Sequence, residues 1–384
     1  MTRAARWNRR GEPRDVLIDA VELRLVRLRL VRPFETSFGR VEERRILLVR
    51  VDGEGATGWG ECVADVDPFY SAETTHTCWH VLESYLASAV LGRRIGHPRE
   101  VGGAMRHVRG HSMAKAALEM AAWDLAARQA GVPLAALLGG TREAIASGVS
   151  IGIQPSIGAL VERVAAELEA GYQRVKVKIK PGWDVEPVRA LRERFGSLPL
   201  MVDANAAYTL ETADPLLALD AAGLMMIEQP LDYDDLSDHA ALQARLRTAI
   251  CLDESIASIA RAADAMALRA CRIVNIKPGR VGGHAASIAL HDLCAAHGVP
   301  VWHGGMLETG IGRAHNVHLA SLPNFSLPGD IAASRRYFDP DVVEPPIEVR
   351  PDGTIPVPRG PGIGVEVVEE RLARATEAVV SLRA

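Results

Sequence analysis

The sequence predicts an α/β fold in which a parallel barrel of strands and helices follows an α+β segment. Three observations predict it. The first is a strand-like run, RVKVKIKPGWD from Arg174 to Asp184, in which Lys176, Lys178 and Lys180 alternate with Val175, Val177 and Ile179. Alternate residues of a strand face opposite sides, so one face is apolar and the other cationic. The second is a period. Polar residues recur late in apolar runs at Lys178, Asp203 (LPLMVDANAAY), Glu228 (GLMMIEQP), Asp253 (TAICLDES) and Lys277 (RIVNIKPG), at steps of 25, 25, 25 and 24 residues. The third is what lies between them. VEPVRALRERFG, TADPLLALDAAG, SDHAALQARLR and GGHAASIALHDLCAAHG carry apolar residues at helical spacing, and several end in glycine. One strand, one helix and two short loops fill such a period, with right-handed crossovers between parallel strands. A closed barrel gathers residues from its strand ends at one opening, whereas an open sheet spreads them along an edge.

Taken in order, the chain opens with an arginine-rich tail, residues 1–17, read as disordered. Residues 18–145 form the α+β segment. DAVELRLVRLRL and RRILLVRVDG alternate as antiparallel strands do, GWGECV is a third strand, and MAKAALEMAAWDLAARQAG is a helix stopping at Gly131. Lys115, at the start of that helix, reads as a surface lysine. The repeating unit occupies 146–343, and 344–384 return to proline-rich strand and helix patterning. The chain has 384 residues, is 48% hydrophobic and carries a net charge of −4 with both signs mixed, which argues against nucleic-acid binding. Its 5 cysteines show neither disulfide nor zinc spacing. No run of apolar residues is long enough for a membrane span or a signal core, so the expected location is cytoplasmic, without membrane partners.

Lysine usage points to chemistry. Of 44 basic residues only five are lysines (115, 176, 178, 180 and 277), so arginine carries the ordinary surface charge. Unlike arginine, lysine can release its proton near other cations. Three carboxylates meeting at one point need a counter-charge, and an all-oxygen set suits a hard divalent ion such as Mg²⁺. Lys178 and Lys277 would flank that ion. A substrate carboxylate bound there would place its α-carbon between two amines, one of which takes the α-proton. A second ammonium at roughly 6 Å and an effective dielectric of about 20 lowers a lysine by about two pKa units, toward the range of a base at neutral pH. Lys176 fits that part for Lys178, and Arg280 for Lys277.

These residues resemble the enolase superfamily, in its muconate-lactonising-enzyme subgroup. The motifs are Lys176-x-Lys178, Asp203 with Asn205, Glu228-Gln-Pro, Asp253-Glu254-Ser255 and Lys277-Pro-Gly-Arg280. Within the subgroup, VDANAAYTL, NIKPGRVGGH and GGMLETGIGRAHN are similar to the o-succinylbenzoate synthase/N-succinylamino acid racemase branch. The resemblance implies a (β/α)7β TIM-type barrel capped by an α+β domain built from both chain ends. It implies Lys178 and Lys277 as the acid/base pair, and Mg²⁺ (or Mn²⁺) on Asp203, Glu228 and Asp253. Substrate would be bound or tuned by Lys176, Ser150, Asn205, Arg280 and the backbone of Thr309, Gly310 and Ile311. A lid is implied around Pro33–Arg40 with Phe34, Ser37 and Phe38, and ADVDPFYS closing beside it. The expected partner is a small-molecule carboxylate, and the expected assembly a dimer or octamer. Alternatives are a muconate-type cycloisomerase, a dipeptide epimerase, or an inert barrel that binds carboxylates. Epimerases carry Asp-x-Asp at the eighth strand, where this chain reads FSLPGD with Pro328 in place of the first Asp. His303 reads as a rim or packing histidine.

Overall fold

The computed structural model describes residues 15–37 and 39–384. Alternating strands at the N-terminus make a four-stranded antiparallel sheet, ordered Thr376–Arg383, Ala20–Glu35, Arg40–Gly53, Ala56–Cys62. The C-terminal segment thus returns to edge the first sheet. Its Thr354–Pro356 pairs instead with Ala144–Ala146, beside the barrel. The helix Ser112–Ala130 crosses the strand Ala56–Cys62 and is buried along almost its whole length. Val16 and Leu17, read as tail, pair antiparallel with Ile95 and Arg94. Val16 is fully buried there, so order begins before the expected boundary at 17.

Seven parallel strands follow one another around the barrel: Gly148–Ile151, Arg174–Lys178, Leu200–Asp203, Ile227–Glu228, Ile250–Leu252, Ile273–Ile276 and Val301–His303. The run 325–330 takes the eighth place. It bridges Val301 through Phe325 on one side and Ser147 through Gly329 on the other. Amphipathic helices cover the outside, including Ile157–Glu169 capped by the Ser156 side chain and Ile259–Leu268 capped by Ser258. After the third strand the helix is short, Asp214–Ala218, and tightens into a 3₁₀ turn.

Register stacks the barrel interior in layers. Met201, Met226, Cys251, Ile273 and Trp302 form an apolar floor. Two residues further along each strand the side chains face inward again, and there Lys178 is level with Asp203 and Asp203 with Glu228. The polar positions are staggered rather than one flat layer: Glu228 is level with Cys251 and Lys176 with Met201, and Lys277 lies four residues beyond Ile273. Strand two ends at Lys178. Lys180, expected on the same cationic face, lies outside the barrel, half-exposed and 3.8 Å from Glu35.

Candidate active site

The second through sixth barrel strands each end in, or are followed at once by, a polar side chain at the same mouth. From the second strand, Lys176 Nζ lies 2.8 Å from Glu228 Oε2, 2.6 Å from Asp330 Oδ2 and 3.1 Å from Asp203 Oδ2. Lys178 Nζ lies 2.6 Å from Asp203 Oδ2 and donates to Asn205 Oδ1 at 2.6 Å. From the sixth strand, Lys277 Nζ lies 2.6 Å from Asp253 Oδ2, and Arg280 takes the other oxygen of that carboxylate. Trp302 in the floor supports the charges from below, its ring centroid 4.9 Å from Lys176 Nζ and 5.0 Å from the Arg174 guanidinium. The three carboxylates and Lys176, Lys178, Lys277 and Arg280 are all buried.

One cavity is lined by the three lysines, while Asp203, Glu228 and Asp253 pair with them, and Arg280 with Asp253, without lining it. Its lining includes Lys176, Lys178, Lys277, Ser150, Asn205 and Phe34. Ser150 stands opposite Lys176 in register, and its buried hydroxyl has no hydrogen-bond partner. Of the expected lid, Phe34 reaches the cavity, and Ser37 Oγ donates to the Asn205 carbonyl at 3.4 Å. Phe38 lies outside the described residues.

The reading of Thr309, Gly310 and Ile311 as substrate-lining backbone is corrected. Their amides already have acceptors: Thr309 N donates to Glu61 at 3.1 Å, Gly310 N to Asp341 at 2.9 Å and Ile311 N to the Thr309 hydroxyl at 3.2 Å. The helix N-terminus is thus filled by the protein's own carboxylates. Burial pushes Glu61 up to about 8. The cavity wall on this side is formed by residues 305–308.

Burial and the neighbouring charges act on Lys277 in opposite directions. Burial alone would lower it, but Asp253 and, more weakly, Tyr70, Glu228 and Glu254 prevail and raise it. Burial likewise fails to lower Lys176, which Asp330, Glu228 and Asp203 raise. The near neighbours of these ammoniums are carboxylates rather than other cations. The carboxylates divide accordingly. Burial opposes ionisation of Asp203 and Asp253, yet the lysines hold both below the ordinary carboxylate value. Glu228 is pushed up to about 8 by burial and by Asp203. Glu254 is pushed to about 7 by burial and Asp253.

Four further polar residues take part. Asp330, at the end of the eighth run, lies 2.6 Å from both Lys176 and Arg174. Asn275 donates to Glu228 Oε1 at 2.6 Å, Glu254 accepts from Asn205 at 3.1 Å, and Tyr70 donates to Asp253 at 3.0 Å. Asn275 could have been found from the sequence, because it sits two residues before Lys277 in an otherwise apolar strand. His303 is a packing residue, fully buried and stacked on Phe325 at 5.9 Å, and burial pushes it down to about 3.

The donor set suits a hard divalent cation. Asp203, Glu228 and Asp253 end three adjacent strands and offer only oxygen, and the buried Glu254 Oε2 and Asn275 Oδ1 have no partners. Among the described residues no three such side chains stand ready as a metal cluster, since each carboxylate is turned onto an ammonium. Residues 20–139 match the N-terminal domain of mandelate racemase and muconate lactonizing enzyme, and residues 159–371 match the enolase C-terminal domain-like family.

The chain belongs to the enolase superfamily.

An o-succinylbenzoate synthase of Geobacillus kaustophilus is 52% identical over 94% of this chain and 96% of its own length. An N-succinylamino acid racemase of Amycolatopsis is 51% identical, covering 94% and 98%. The crystal structure of an enolase superfamily member from Listeria innocua superposes with a TM-score of 0.93 at 38% identity, covering 96% of this chain and 99% of that one. The superfamily fold is that of the structure described above, a curled parallel sheet of seven strands under an N-terminal cap. No helix among the described residues is long and apolar enough to cross a membrane.

Proposed function

We propose that this chain removes the proton α to a carboxylate through an enediolate. It would act as an o-succinylbenzoate synthase by syn-dehydration, as an N-succinyl- or N-acylamino acid racemase, or as both. The observation that carries the reading is the placement of two amines. Lys178 ends strand two and Lys277 follows strand six of an eight-position ring, so they stand on opposite sides of one cavity. Proton removal on one face and delivery on the other is what racemisation requires, and dehydration needs one of the two as base. Asp203, Glu228 and Asp253 would hold Mg²⁺, which supplies Lewis-acid stabilisation of the enediolate and a counter-charge for those carboxylates.

The cavity lining carries the cations Arg44, Lys176, Lys178 and Lys277, which suits a carboxylate substrate. Lys176 and Ser150 would orient the α-carboxylate. Arg280 adds a cation beside Lys277, the reason to propose racemase competence alongside dehydration.

In D₂O with Mg²⁺, N-succinyl amino acids are expected to gain α-deuterium, as followed by ¹H NMR. Chelation should abolish the exchange and added Mg²⁺ restore it. Formation of o-succinylbenzoate without α-exchange would retire the racemase half. Neither reaction in the Mg²⁺-loaded protein would retire the proposal.

A further inference from the structure

The Lys277 side of the cavity is not built by the barrel alone. Tyr70 comes from the capping segment, and its ring centroid lies 4.5 Å from Lys277 Nζ. Its hydroxyl accepts from Lys277 at 3.1 Å and donates to Asp253 Oδ1 at 3.0 Å. Lys277 is thus held by a π-face and by an oxygen that is itself oriented by a carboxylate. Lys178 is held differently. Among the described residues its hydrogen-bond partners are Asp203 and Asn205, both from the barrel.

Tyr70 is placed firmly enough to do this. The segment around it is tied at both ends. Asp65 forms an ion pair with the buried Arg44, and its carbonyl accepts from Thr75 N at 2.7 Å. Glu73 accepts from Met113 N at 2.9 Å and Ala114 N at 3.1 Å, standing in for the missing side-chain cap of the helix Ser112–Ala130. A lysine ammonium on four rotatable bonds wanders unless held, and proton transfer to carbon demands placement within fractions of an ångström.

We infer that Tyr70 is a positioning residue for Lys277, so that the cap bonds directly to the base on one face of the substrate, while the side chains that hold Lys178 come from the barrel. The inference rests on the functional reading above and deepens it. It makes the two half-reactions separable by a residue outside the barrel.

The test uses the full-length Mg²⁺-loaded protein, with α-deuterium exchange measured separately for each enantiomer of an N-succinyl amino acid. For the enantiomer whose exchange Lys277→Ala abolishes, Tyr70→Leu should slow exchange about 100-fold. Tyr70→Phe keeps the ring and should show a smaller loss. Exchange of the opposite enantiomer should stay within about 2-fold in both variants, an asymmetry that a general structural defect does not produce. Equal losses for both enantiomers, or no loss for either, would overturn the inference. A second arm needs no turnover. Amine acylation mapped by peptide mass spectrometry should show the Lys277-to-Lys178 labelling ratio rising in Tyr70→Leu, and an unchanged ratio overturns the inference. A wild-type protein that exchanges neither enantiomer would strike the functional reading, while the labelling ratio would still decide the part played by Tyr70.

Discussion

At the scale of single residues, Asp330 anchors the charge network. It holds Arg174 and Lys176 at 2.6 Å each, and these two cations keep it at about 2 against the penalty of burial. Replacing it by Asn leaves two buried cations short of a partner. Breaking a buried pair from one side costs about 3 kcal/mol or more, although Lys176 keeps Glu228 and Asp203. Asp330→Asn should therefore lower stability by about 3 kcal/mol in urea denaturation, and a loss within experimental error would remove Asp330 from that role. The sequence did not make Asp330 legible, because the run FSLPGD lacks the apolar strand pattern that marked the other positions. Tyr70 lies in ADVDPFYS, which the resemblance put beside the lid, but its contact with Lys277 was not legible, because it lies more than a hundred residues before the strands it serves and no period connects it to them. Lys178, Asp203, Glu228, Asp253 and Lys277 were legible because barrel geometry repeats in sequence, and the structure brings all five to one mouth.

At the scale of elements, the cap depends on a strand lying directly on a helix backbone. A Cβ built at Gly60 would sit 2.0 Å from the Ala117 carbonyl oxygen, and one at Gly58 2.2 Å from that of Ala121. The strand Ala56–Cys62 can approach Ser112–Ala130 only because these positions carry no side chain. Gly60→Ala should cost about 3 kcal/mol, the upper range of overpacking. Gly158→Ala, in a helix where the nearest atom is 3.9 Å away, should be neutral or stabilising by up to about 1 kcal/mol. Similar denaturation midpoints for the two variants would contradict the close-approach account. Strand and helix existence were legible here from alternation and from alanine-rich periodicity. Their contact was not, since glycine in GWGECV reads equally as a turn or bulge residue. At Thr309 and Gly310, where the resemblance implied backbone contacts to substrate, the amides instead donate to Glu61 and Asp341 from distant segments.

At the scale of the whole molecule, closure of the sheet turns a linear series into a pair of opposed groups. Strands two through six carry Lys178, Asp203, Glu228, Asp253 and Lys277 in chain order. In an open sheet the two lysines would be the farthest members of a row. The bridges from 325–330 to both the first and the seventh strand bend that row into a ring, and the lysines face each other across it. The cap then closes the mouth with Phe34 and Tyr70. The measurement that tests this most directly is α-deuterium exchange of each enantiomer by Lys178→Ala and Lys277→Ala, with Mg²⁺ present. Opposed amines predict that each variant loses exchange of one enantiomer at least 100-fold, about 2.7 kcal/mol of barrier, and that the two variants lose opposite ones. Loss of the same enantiomer in both variants would put the amines on one side of the substrate and contradict the account.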